Sequence, residues 1–161
     1  MALKLTVTTF KLLGVIISSD LSGGSHVTYI LHKVAKRTYC INYLVRSGVP
    51  TCDILCVYCS VIRSVLQYSC AVWHPGFTKK LSQDIERVQK RCLKLLYPAL
   101  SYNQALNKSG LERLDFRRDV ITQKMFQEIK DQKHRLHYLL PPVKVANSQM
   151  VLRPTYHTNY H

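Results

Sequence analysis

Acidic residues are scarce in this chain of 161: nine Asp and Glu stand against 23 Lys and Arg, a formal charge of +14. The shortage runs along the whole length, with nine basic and two acidic residues in positions 1 to 80 and fourteen and seven after them. The body itself is basic, and such a field selects polyanions, nucleic acid first and an anionic membrane surface second. Six Gly and six Pro are too few for collagen or a mucin-like stalk. With 47% hydrophobic residues, the length suits one domain, or a domain and a tail, around a buried core. No apolar run is free of polar interruption: Asp53, Arg63 and Gln67 divide the best candidate, residues 52 to 73. No membrane-spanning segment is expected. Residues 1 to 17 carry Lys4 and Lys11 within their apolar stretch and no cleavage-like site, which argues against a secretory leader. The six cysteines then read as free thiols in a reducing compartment, and the expected location is intracellular, nuclear or cytoplasmic.

What is present is periodic. Residues 5 to 18, LTVTTFKLLGVIIS, are rich in Val, Ile, Thr and Leu and run into turn residues from Ser18 to Ser25, so they read as one or two strands. Both faces are largely apolar, as in a strand buried between layers. After Gly24 the period becomes helical. Val27, Ile30, Leu31, Val34, Ile41, Leu44 and Val45 form one stripe, with Ser25 placed to cap and Gly48 to stop the helix. A second helix from about Thr51 to Trp73 is apolar on a wide arc and should be central, broken by His74, Pro75 and Gly76. Thr78 can cap a third, with Leu81, Ile85, Val88, Cys92 and Leu95 or Leu96 inside. A short fourth runs from Ser101 to Lys108. A fifth runs from about Leu114 to Asp131, with Phe116, Val120, Met125 or Ile121, and Ile129 facing inward. The expected fold is mainly α: a bundle of about five helices (25–142) after a short β element (1–24), with a loose tail at 143–161.

Six ordered blocks carry a resemblance. FKLLGVIISSDLS, SHVTYILHKVAKRTYCINYL, VYCSVIRSVLQYSCAVWHPG, IERVQKRCLKLLYP, SYNQALNKSGLERLDFRRD and HRLHYLLP together resemble the carboxy-terminal part of a reverse transcriptase from a non-LTR (LINE-type) retrotransposon, over residues 10 to 142. The resemblance implies a strand at LLGVII that closes a catalytic palm, and a thumb-like bundle that holds template and primer. It also implies that catalysis belongs to an upstream segment which this chain lacks, and that the missing palm is a partner. The sequence departs from the family at Gly23 and Gly24, where relatives tend to have Trp and a polar residue, and at Ser64 and Gln67, where they have Pro and Glu. A lost aromatic at Gly23 would remove an anchor between strand and first helix. Residues 10–48 are also similar to a segment labelled the amino-terminal region of an AlkB-type tRNA-modifying protein. That label implies an iron dioxygenase or a methyltransferase partner, yet none of the seven histidines is followed two residues on by an acid, as an iron-holding His-x-Asp pair needs.

The residues limit the chemistry further. A polymerase holds two metal ions on clustered carboxylates, and no adjacent Asp pair occurs here. The acids read as caps and ion-pair partners, as in Glu86 with Lys90 four residues on. Cys52, Cys56 and Cys59, at i, i+4 and i+7, read as a buried face of small hydrophobes rather than a zinc site, since no fourth ligand is evident. His134 and His137 with Arg135 read as a solvated or phosphate-facing turn. No catalytic residue, metal or cofactor is expected. Tyr68, Trp73 and Tyr97 read as core or loop anchors. There remain three basic faces: Lys33, Lys36 and Arg37 on the first helix, Arg87, Lys90, Arg91 and Lys94 on the third, and Arg117 and Arg118 on the fifth. Cations of this kind contact phosphates without reading bases, whether of an RNA or DNA duplex or of a single strand. Two rival readings stand beside that one: enzyme function inherited in name from the polymerase family, and a helical module that contacts only protein or acidic lipid.

Overall fold

The computed structural model describes residues 7–141, so the tail expected at 143–161 lies outside the described residues. The chain is mainly helical, with a short antiparallel β element before the helices. Strands β1 (Thr9–Leu12) and β2 (Val15–Ser18) form a hairpin in which Leu12 pairs with Val15 and Thr9 with Ser18. Its two-residue turn places Leu13 at φ 46° and Gly14 at φ 86°, the left-handed pair that suits strand twist. The Tyr68 hydroxyl donates to the Leu13 carbonyl at 3.0 Å and ties the turn to the helices. Only β2 is packed: Val15 is buried, whereas every residue of β1 is exposed. The strand expected between two layers is therefore half wrong, because β2 finds its cover in the following helix and β1 finds none.

Helix α1 (Gly24–Arg46) buries His26, Val27, Ile30, Val34, Thr38 and Ile41. Ser25 does not cap it. The cap position is Gly23, at φ 68°, which has no side chain to cap with; the Ser22 hydroxyl accepts from the Gly24 amide at 3.5 Å instead. A Cβ on Gly23 would lie 2.5 Å from the Phe77 ring, so glycine is required there. The junction is filled rather than emptied: Phe77 takes the space and stacks on Trp73 at 4.7 Å between centroids.

The central segment begins as α2 (Thr51–Val57), widens into a π-helical stretch (Tyr58–Arg63) and closes as α3 (Ser64–Gln67). It breaks earlier than expected, at Tyr68 and Ser69, where Ser69 takes φ 51° and the Trp73 indole donates to the Tyr68 carbonyl at 2.9 Å. The chain restarts as α4 (Cys70–Trp73) and a 3₁₀ turn (His74–Gly76). Within Thr51–Gly76 an 18-residue window reaches a mean hydropathy of 1.4, so by length and composition alone this stretch is apolar enough to cross a membrane. In this fold the same stretch supplies the middle of the core through Ile54, Tyr58, Ile62, Leu66, Cys70 and Trp73. Its cysteine face is not buried, however. Cys52 and Cys56 are exposed and Cys59 half-buried, because Ile54, Tyr58 and Ile62 take the inward side.

Helix α5 (Lys79–Leu96) starts where the Thr78 hydroxyl accepts from the Leu81 amide, and packs against α1. Helix α6 (Tyr102–Ser109) opens with a Ser101–Gln104 capping box and stops at Gly110, φ 65°. Helix α7 (Leu114–Ile129) is rotated from its expected setting. Leu114 and Arg118 are buried and Ile121 packs against the core as one of the expected alternatives, while Phe116, Val120 and Met125 face outward. A 3₁₀ turn (His137–Leu139) ends the described chain.

Candidate nucleic-acid interface

On α5 the buried residues Ile85, Glu86, Gln89, Cys92 and Leu93 fix the helix's orientation. Arg87, Lys90, Arg91 and Lys94 then share an outward arc of about 100°, and all four are exposed. Each is held differently. Arg87 pairs with Asp84 at 2.5 Å; the Lys90 ammonium lies 5.1 Å from the centre of the Tyr102 ring; Lys94 donates to the Pro98 carbonyl at 2.6 Å. Arg91 borders an apolar groove between α1 and α5, with Leu31, Val34 and Val88.

The structure adds two cations outside the expected set, Lys79 from the start of α5 and Arg113 from the start of α7. Lys79 and Arg113 line, with Arg87 and Lys90, a polar cavity of about 660 Å³. Its acids are Glu86 and Asp115. Arg113 grips Asp115 at 2.9 and 2.5 Å, which holds that carboxyl below the usual carboxylate range and raises the guanidinium. Lys79, Lys90, Arg91 and Lys94 have no carboxylate partner among the described residues. Only the spatial approach of the α7 start to α5 brings Arg113 here; sequence spacing carries no sign of it.

Glu86 does not pair with Lys90. It is buried, accepts from the Tyr102 hydroxyl, and takes the Leu114 amide at 3.0 Å, so it caps α7 from a neighbouring helix. Gln89 extends the network: it accepts from the Tyr58 hydroxyl at 2.7 Å and donates to the Tyr102 hydroxyl and the Glu112 carbonyl, both at 3.0 Å. Burial raises both phenols, Tyr102 with a further push from Glu86. This polar layer locks α5, α6 and α7 together beneath the basic arc.

The other two basic faces fare less well. Arg118 is fully buried. Its guanidinium donates to Ser82 at 2.8 Å and to His74 at 3.4 Å, while His74 reaches Asp119 at 2.9 Å. It is a structural cation, and the expectation that it faces solvent is overturned. Arg117 stays exposed but is held by Gln67 at 3.2 Å. On α1, Lys33 and Lys36 are exposed, whereas Arg37 is half-buried and donates to the Val61 carbonyl in the π-helical stretch at 2.6 Å. Lys33 and Arg37 lie toward α3 and the π stretch, away from the groove that Arg91 borders. The three faces therefore do not merge. The α5 arc with Lys79 and Arg113 is the most extended.

The carboxylates are largely tied to neighbours: Asp20 accepts from Ser18 at 2.5 Å and from the Ser22 amide at 3.1 Å, and Glu112 lies 3.8 Å from Arg117. Among the described residues no three His, Cys, Asp or Glu side chains gather as a metal would need. The His134 ring accepts from the Leu136 amide at 3.1 Å, and His137 donates to the Ile129 carbonyl at the end of α7 at 3.2 Å. Tyr68 is a loop anchor despite half its surface being open, and Trp73 is in the core. No family model, no curated protein and no solved structure matches this chain.

Proposed function

We propose that the chain binds nucleic acid through its phosphate backbone and does no chemistry of its own, as the template-primer-holding, thumb-like remnant of a non-LTR retrotransposon reverse transcriptase. The supporting observation is the α5 arc: four exposed cations on one helix, extended by Lys79 and Arg113 and set on a rigid buried network. Such side chains position a strand without reading its bases, so affinity falls steeply with salt and depends little on sequence. The exposed β1 edge of the hairpin is where this reading seats the palm.

The test is fluorescence anisotropy with a short primer-template duplex and a matched single strand, titrated across salt. Changing Arg87, Lys90, Arg91 and Lys94 together to Ala lowers the slope of log affinity against log salt by about 0.9 for each duplex phosphate that these side chains neutralise. An unchanged slope removes the arc from the interface. A second reading, a helical module that contacts protein, rests on the outward Phe116, Val120 and Phe126 of α7. Its mark is a folded protein that ignores nucleic acid at low salt.

A further inference from the structure

On its α1 side the basic arc ends at a groove. Between α1 and α5 runs an apolar slot of about 400 Å³, within the range of about 300–1,000 Å³ in which small ligands are held. Leu31, Val88 and Leu95 form a half-buried floor, and Arg91, a member of the arc, stands on the α5 rim. The α1 rim is Tyr39, 71% exposed, with Tyr43 one turn on and 63% exposed. Rings this open do not serve the core. Asn42 lines the same slot. The hydrogen-bonded side chains of α1 are those of His26, Thr28, Tyr29, Arg37 and Thr38, so Tyr39 and Asn42 keep their polar groups free among the described residues. None of the enclosed unpaired polar atoms belongs to the groove, and solvent therefore reaches these groups.

The two walls carry charge of one sign. Helix α1 has no Asp or Glu from Gly24 to Arg46, and its Lys36 is exposed one turn before Tyr39. Helix α5 has two acids, of which Asp84 is paired with Arg87 and Glu86 is buried. Arg91 has no carboxylate partner among the described residues. Unopposed cations beside an open aromatic ring are the parts with which proteins hold single strands, the cations tracking phosphates while the ring stacks on a base. A duplex keeps its bases paired inside and offers such a slot phosphates alone. We propose that the α1–α5 groove takes an unpaired nucleobase against Tyr39, its edge toward Asn42 and its phosphate at Arg91. The inference rests on the nucleic-acid reading and adds to it an affinity that a duplex cannot use. Every base has a face to stack, so sequence preference stays weak.

The test is fluorescence anisotropy of the full chain with three labelled probes: a short DNA strand of mixed sequence, a strand of the same length that is abasic throughout, and a glutamate-rich amphipathic peptide. The base-bearing strand should bind at least about fivefold more tightly than the abasic one. Tyr39→Ala should remove that advantage while leaving the abasic strand's affinity and salt slope unchanged. Tyr39→Phe, which keeps the ring, should retain the advantage to within about twofold. Because Tyr39 is exposed, circular dichroism should show intact helices in both variants. Equal affinity for the two strands, or an advantage that survives Tyr39→Ala, overturns the groove and leaves the arc standing. Loss of both strands at low salt overturns the nucleic-acid reading and this inference together. A peptide that binds through Tyr39, while the strands ignore that residue, gives the groove to a protein partner and equally overturns the inference.

Discussion

Glu86→Ala separates two descriptions of the same residue. As an exposed i,i+4 partner of Lys90, Glu86 would contribute about 0.2–0.5 kcal/mol. In the structure it does something else. Its carboxylate accepts from the Tyr102 hydroxyl and the Leu114 amide, and it is the largest acidic influence on the buried Arg118 guanidinium. The Ala variant strips the first turn of α7 of its acceptor, a bond to a charged group of about 1.5–3 kcal/mol. It also leaves Arg118, which Glu86 influences only through space, with less compensating charge. The two lost bonds share one carboxylate, so the expected loss is about 2–3 kcal/mol, a sizeable part of the roughly 5–15 kcal/mol of an ordinary domain. Urea unfolding followed by circular dichroism reads it as a lower midpoint at unchanged slope. Glu86→Gln keeps shape and one acceptor and should lose about 1–2 kcal/mol, which isolates the charge. If Glu86→Ala costs under about 1 kcal/mol, the network is not what holds α7 to α5.

Gly23→Ala should destabilise by more than Gly48→Ala, since both sit at positive φ but only Gly23 has a ring where the Cβ would go. The second should cost about 1–2 kcal/mol for the backbone alone, and equal midpoints in urea would show that Phe77 moves aside freely. Acid should weaken the fold through His26. Burial holds its folded pKa below the ordinary 6.5, so as pH falls through that value the unfolded chain takes a proton that the folded chain refuses. Stability from this group is whole above pH 6.5 and is lost below it by up to about 1.4 kcal/mol per pH unit. Urea midpoints from pH 7.5 to 5 should therefore fall more steeply for the natural chain than for His26→Gln, and parallel profiles would refute the assignment.

Local signals in the sequence survive in the structure. Thr78 caps α5, Ser101 opens α6 and Gly110 closes it, because each of these acts within four residues of itself. Long-range chemistry was illegible. The setting of α7 depends on Arg118 finding Ser82 and His74 across the bundle, and periodicity, which counts only apolar side chains, assigned a buried arginine to solvent. The same blindness put Glu86 with Lys90. The break at Tyr68 and Ser69 carries no Gly or Pro; the Trp73 indole and the hairpin turn hold it from outside. Of the candidate interface, the α5 arc was legible as a stripe that Lys79 extends on the same helix, whereas Arg113 joins it only through folding.

The π-helical stretch sets a rule about counting. Ile54, Tyr58, Ile62 and Leu66 recur every four residues and are all buried. In a regular α-helix each such step overshoots a full turn by about 40°, and three steps would carry Leu66 about 120° from Ile54. Rings closed from i to i+5 hold one residue more per turn, and the wide stretch at Tyr58–Arg63 absorbs part of the drift. The segment is therefore an α-helix carrying a spare residue. Removing one residue from it would restore ordinary geometry and leave eleven steps from Ile54 to Leu66, about 20° from whole turns, so Leu66 stays on the core side. Exchange or loss of exposed Ser60 or Val61 therefore leaves the core in phase, whereas an inserted residue adds a further rotation of about 100° to absorb, so this stretch bears shortening better than lengthening.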